Sequence, residues 1–182
     1  RSLYEFLNQE VEKAPPGSNG VIFTPWLHGN RSPFEDPNAR GMFFNIGLET
    51  GKREMIRAVL EGVAYHQRWM LETVERKVPR QETLRFVGGG AQSAVWAQIL
   101  ADVTGREIEV IENAQNAGTV GAAIVCAVGL GKADFQGAGQ LIRVAQRFSP
   151  QVKNQPVYER NYQVYRQLYR QNRELFRRLN AG

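Results

Sequence analysis

Apolar residues recur at helical spacing most clearly between Lys52 and Lys77. Ile56, Val59, Leu60, Val63, Met70, Leu71 and Val74 repeat there, with Gln67 in the same register, which predicts a long helix with one core face. Pro79 ends it. A second stripe, Tyr158, Tyr162, Tyr165, Tyr169 and Phe176, predicts a terminal helix over Val157–Leu179 whose aromatic side docks onto the rest of the chain. Ser2–Lys13 reads as a short helix with Ser2 as N-cap and Leu3, Phe6, Leu7 and Val11 on one side. Val21–Thr24 and Gly41–Gly47 read as a hairpin around a long Pro- and Gly-rich excursion. Strand Thr83–Val87, helix Ser93–Thr104, strand Arg106–Glu112 and a small-residue helix Gly118–Gly129 follow. In that last helix Gly121, Ala122 and Ala123 predict close packing on a neighbour. Residues 132–156 read as loop and short helix. Helices alternating with strands, plus a hairpin, predict an α/β layered fold.

Composition narrows the classes. A chain of 182 residues with 42% hydrophobic and 23% charged residues suits one domain or a large piece of one. The single cysteine, Cys126, excludes a disulfide framework and points to a reducing cytoplasm. Amid Ala and Val it reads as a small buried hydrophobe. The longest apolar run, Gly118–Gly131, is too short and glycine-rich to span a membrane, so no membrane partner is expected. The net charge of +5 is unevenly spread: Leu141–Gly182 holds nine Lys/Arg against two Glu, leaving −2 on the remainder. A basic excess on one helix reads as a solvated face, and nucleic acid is not an expected partner.

The candidate chemistry lies where the strand Leu84-Arg85-Phe86-Val87 runs into Gly88-Gly89-Gly90-Ala91-Gln92-Ser93 and out into a helix. Glycines let the backbone turn tightly and approach a bound group, and the first N–H groups of the next helix favour anionic or polar ligand atoms. A plain strand-to-helix turn has the same appearance. A dinucleotide site is a further reading: Gly88-x-Gly90-x-x-Ser93 nearly matches G-x-G-x-x-G, and Glu112 lies 24 residues after Gly88, near where a ribose-binding acid belongs. Ser93 in place of the third glycine weighs against it, and the Gly-Lys-Ser/Thr of a P-loop is absent. His28 and His66 have no partners at ligand or triad spacing. Gln98 reads as structural, and Glu61 and Asp102 as helix charges. Arg31 reads either as a phosphate or cleft contact or as an ion pair with Asp36.

Phe86-Val87-Gly88-Gly89-Gly90-Ala91-Gln92-Ser93, with Trp96, Gln98, Ala101-Asp102 and Gly105, resembles the adenosine motif of the FGGY carbohydrate kinases. These belong to the actin/hexokinase/Hsp70 ATPase superfamily. Three segments agree with it in order and spacing. Pro25-x-x-x-Gly29-x-Arg31-x-Pro33 with Asp36-Pro37-x-Ala39-Arg40-Gly41 resembles the family's loop ahead of its signature. Glu54–Gly62 resembles the second half of the signature helix, and Gly118-x-x-Gly121-Ala122-Ala123 the helix after the adenosine strand. The resemblance runs from about Gly20 to Gly131, and the xylulose-kinase-like and gluconate-kinase-like members are the most similar. Phe43-Phe44-Asn45-Ile46 is bulkier than the family pattern, and Asn30 stands where Glu is frequent, which leaves the sugar open.

The resemblance implies a ribonuclease H-like, actin-type C-terminal domain, present in part and filling residues 1–182. The N-terminal sugar-binding domain, with its Asp-x-Gly-Thr phosphate loop and general base, is expected to be absent from the chain, as is the second phosphate loop. The start at Arg1 rather than Met agrees with that expectation. The implied reaction is transfer of the ATP γ-phosphoryl group to a small sugar or sugar acid with Mg²⁺, in the cytoplasm. Gly88, Gly89, Gly90, Ala91, Gln92 and Ser93 are the expected nucleotide contacts. No catalytic residue and no metal ligand is expected within the chain, and a homodimer is an expected assembly.

Overall fold

The computed structural model describes residues 3–138 and 142–181. Helix α1 (Leu3–Lys13) leads through a 3-10 turn to the antiparallel pair β1 (Ile22–Thr24) and β2 (Met42–Phe44). Helix α2 (Lys52–Val74) crosses the molecule. Then come β3 (Thr83–Phe86), α3 (Ala94–Thr104), β4 (Glu107–Ile111), α4 (Ala117–Gly129), a short α5 (Phe135–Ala138), β5 (Val144–Phe148) and the terminal α6 (Gln155–Asn180). A second sheet has the order β3-β4-β5, with β3 and β4 parallel and β5 antiparallel. The α/β class and most element types agree with the sequence pattern.

The core lies between α2, α3 and α6. The predicted aromatic stripe of α6 is buried throughout: Tyr158, Tyr162, Tyr165, Tyr169 and Phe176 are each at most 9% exposed. They meet Trp26, Tyr65 and Trp69, and Phe34 stacks on Tyr169 at 3.6 Å between ring centroids. Each such pair is worth about 0.5–1.5 kcal/mol beyond its buried area. β1 passes directly over α2 at Gly62, where a Cβ would sit 2.1 Å from the Phe23 carbonyl oxygen. That contact explains a glycine inside a long helix.

Two acids read as helix charges turn out to be buried anchors. Glu61 is fully buried on α2 and accepts from the Gly17 N–H (2.9 Å), the Ser18 hydroxyl (2.8 Å), Arg57 Nε (2.7 Å) and the Tyr158 hydroxyl (3.1 Å). Burial pushes its carboxyl up, against the pull of Arg57 and the N–H and O–H donors. Asp102 on α3 accepts from Gln98, the Gln151 N–H and Asn154, so it ties α3 to the start of α6. Glu10 on α1 is ringed by Lys13, Arg53 and Lys52, which hold its carboxyl down to about 2 and fix α1 to the start of α2.

Five expectations need correction. The face that α2 buries is Arg57, Ala58, Glu61, Gly62, Ala64 and Tyr65, where the close crossing of β1 and α6 selects small residues and paired polar groups. Of the predicted stripe, Ile56, Val59, Leu60, Val63, Met70 and Leu71 are half-buried, and Gln67 and Val74 are exposed. Residues 144–148, read as loop, form a strand, because Ile108, Val110 and Ile111 of β4 offer a second edge that local pattern does not display. No α4 residue is buried and nothing approaches a Cβ built on Gly121, so the small residues do not pack on a neighbour here. Cys126, on that helix, is exposed. In α1, Leu3 and Phe6 are 69% and 43% exposed, and only Glu10 and Val11 are buried. The proposed cap Ser2 lies outside the described residues.

Candidate functional site

The glycine segment sits at the carboxyl end of β3. The next parallel strand, β4, ends beside it, with Phe86 opposite Val110 in register. Clefts outside the carboxyl ends of parallel strands are the usual ligand position in α/β folds. Gly88 turns the chain with φ +90°, a left-handed value that disfavours any other residue. Gly89–Gln92 then form one 3-10 turn, closed by the Ala91 N–H to the Gly88 carbonyl (3.2 Å) and the Ser93 N–H to the Gly90 carbonyl (3.0 Å).

The six predicted residues do different things. A Cβ built on Gly88 or Gly89 meets nothing within 4 Å, so their outer face is open to a ligand. At Gly90 a Cβ would sit 2.8 Å from the Trp96 ring and 3.0 Å from Phe86, so this glycine fits the edge-to-face pair those rings make. Ala91 is buried at 5% exposure and anchors the turn. Gln92 is exposed, and its Nε2 donates to Gln115 Oε1 at 3.2 Å. Ser93 caps α3: its hydroxyl accepts the Trp96 N–H at 3.2 Å and donates to Asn8 Oδ1 at 2.7 Å.

A second turn completes the platform. After β4, Asn113 adopts φ +52° and Ala114–Asn116 make a 3-10 turn into α4. The Gly88 N–H donates to the Ala114 carbonyl at 2.8 Å, locking the two turns together. No side chain caps the first turn of α4 and it carries no acidic residue, so the positive end of that helix lies beside the glycines, while the Ala117 N–H is held by the Ala114 carbonyl. Sequence reading missed Asn8 and Gln115, since a contact across 85 residues leaves no local signal.

The other candidates fall elsewhere. Gln98 is structural, donating to Asp102 and to the Ser149 carbonyl. Arg31 is exposed and makes no ion pair with Asp36 among the described residues; Asp36 instead accepts from the Asn38 N–H and the Tyr169 hydroxyl. His66 Nδ1 faces Trp26 Nε1 (3.4 Å) and the Tyr165 hydroxyl (3.1 Å), and burial pulls its pKa below 6.5. It is a core hydrogen-bond acceptor. A cavity of about 520 Å³ opens between α2, the end of α3 and the start of α6, lined by Arg68, Glu75 and Arg106. It lies at the amino ends of β3 and β4, away from the glycine turn, and its charged groups largely pair with one another.

The turn carries no carboxylate, and no group of three metal-ligating side chains occurs among the described residues. These residues do not by themselves fit a Mg²⁺ cage. No helix among them is long and apolar enough to cross a membrane.

Residues 1–130 match the FGGY family of carbohydrate kinases, C-terminal domain. A xylulose kinase of Staphylococcus epidermidis is 34% identical over 165 residues, covering 90% of this chain and 33% of that protein. A gluconokinase of Bacillus subtilis is 34% identical over 152 residues, covering 81% and 29%. Among solved structures, a ligand-bound xylulose kinase from Lactobacillus acidophilus superposes with a TM-score of 0.87 at 25% identity, covering 97% of this chain and 36% of that one. The chain therefore has the expected α/β, actin-type ATPase fold in part, and it spans about a third of the length of the curated relatives it matches. These likenesses give the dinucleotide reading no support.

Proposed function

The chain belongs to the FGGY family of carbohydrate kinases, and from that premise we propose that it forms the adenosine side of an ATP-dependent kinase for a small sugar or sugar acid. One observation carries the reading. The open face of Gly88 and Gly89 lies at the carboxyl ends of two parallel strands, beside the uncapped start of α4. A planar base and ribose can lie flat against backbone that has no side chain in the way.

Gly88, Gly89 and Gly90 shape the nucleotide bed, Ala91 anchors it, and Gln92 presents a polar edge. Ser93 acts through the α3 cap rather than by a free hydroxyl. Phosphoryl transfer depends on positioning and charge stabilisation. In this proposal the groups that act on the sugar hydroxyl and neutralise the phosphates, Mg²⁺ among them, belong to a further domain of the kinase, which closes over the nucleotide. The uncovered apolar side chains Val120, Val125 and Leu130, and the unpaired outer edge of β3, support the packing of more polypeptide there. A cytoplasmic setting fits a kinase that draws on cellular ATP.

The test is ADP release from ATP by the natively produced protein with D-xylulose, D-gluconate and glycerol offered separately. Turnover with the pentulose or the sugar acid is the expected result. Turnover with none, together with binding of NADH in place of ADP, would overturn the proposal.

A further inference from the structure

We propose that Asn8 of α1 is a positioning residue for the nucleotide turn, acting through Ser93; this rests on the reading of residues 88–93 as the nucleotide bed. The turn is held at its two ends. At its start the Gly88 N–H is bonded to the Ala114 carbonyl at 2.8 Å. At its end the Ser93 hydroxyl donates to Asn8 Oδ1 at 2.7 Å while accepting the Trp96 N–H at 3.2 Å. Between these ties nothing lies within 4 Å of a Cβ built on Gly88 or Gly89, so no packing restrains that stretch from the ligand side.

Asn8 is half-buried and reaches the site from 85 residues away. Its carbonyl oxygen fixes the direction of the Ser93 O–H bond and so leaves a serine lone pair on the Trp96 N–H. The bond sets the orientation of the cap, and with it the angle at which the turn leaves α3. Without Asn8 the hydroxyl rotates freely, and the turn must be ordered each time a nucleotide binds. The role is positioning: nothing here places Asn8 against the ligand.

The experiment is calorimetric titration of ADP, and separately of adenosine, into the natively produced protein and five variants. Asn8→Ala is expected to weaken both ligands by about three- to tenfold, the scale of one intramolecular hydrogen bond. Asn8→Asp retains the acceptor for the Ser93 hydroxyl and is expected to restore adenosine binding, the probe without phosphate charge. Ser93→Ala combined with Asn8→Ala is expected to be no weaker than Ser93→Ala alone. The fifth variant, Gly89→Val, fills the open face and is expected to abolish binding. If it does while Asn8→Ala lowers only the melting temperature, the positioning role is wrong and the nucleotide bed stands. If neither variant changes affinity, both are wrong.

Discussion

The Tyr169 hydroxyl donates to the Asp36 carboxylate at 3.1 Å, joining residues 133 positions apart. The bond closes the Pro- and Gly-rich loop onto α6, where Phe34 stacks on the same tyrosine ring. Tyr169→Phe keeps the stack and removes the donor. It should cost about 1–3 kcal/mol, the price of a charge-assisted bond. Urea denaturation would measure it, and limited proteolysis should cut first within residues 25–41.

Glu61 predicts a larger loss. It is buried against Arg57 and holds the α1–β1 connection, α2 and α6 in one hydrogen-bonded group. Glu61→Gln leaves the Arg57 charge buried without its counter-ion, which should cost about 3–5 kcal/mol. Equilibrium unfolding monitored by tryptophan fluorescence reads that difference. A loss under 1 kcal/mol would mean that water reaches Arg57.

The glycines of the turn should separate by neighbour. Gly90→Ala places a methyl into the Phe86–Trp96 pair and should lower both stability and nucleotide affinity. Gly89→Ala meets no protein atom and should leave the melting temperature unchanged. Differential scanning calorimetry with and without ADP distinguishes these outcomes.

His66 supplies a pH dependence. Trp26 Nε1–H can only donate, so His66 Nδ1 is the acceptor and the ring is neutral. Burial lowers its folded pKa below 6.5, so between those values the unfolded chain binds more protons. The contribution of His66 to stability therefore declines as pH falls through about 6.5 and levels off below the folded pKa. His66→Gln keeps an acceptor without a titration, and melting curves from pH 8 to 5 should show a shallower slope for it than for the parent.

Legibility in the sequence followed the range of the forces. α2 and α6 were readable as helices because their apolar stripes are long. The α6 stripe is buried, whereas α2 buries Arg57, Ala58, Glu61, Gly62, Ala64 and Tyr65, and its predicted stripe lies half-buried beside them with Gln67 and Val74 exposed. The turn at Gly88–Ser93 was readable because a left-handed φ and a helix cap leave residue-level signatures. β5 was not, since Val144–Phe148 is a strand only because β4 offers it an edge. Glu61 and Asp102 looked like surface charges, because their burial depends on α6, far along the chain. At the candidate site the glycines were visible, whereas Asn8 and Gln115 come from other elements and carry no local mark. The small residues of α4 misled in the opposite sense: the pattern promised a neighbour that the described residues do not include.

If the two linked turns hold the adenosine of a nucleotide, saturating ADP must protect their backbone. Backbone hydrogen exchange of the natively produced protein, with and without ADP, reads this. Slowed exchange concentrated in residues 88–93 and 113–118 is expected. Unchanged exchange there, with protection elsewhere in the chain or with NADH alone producing it, would mean that the turns do not hold the adenosine.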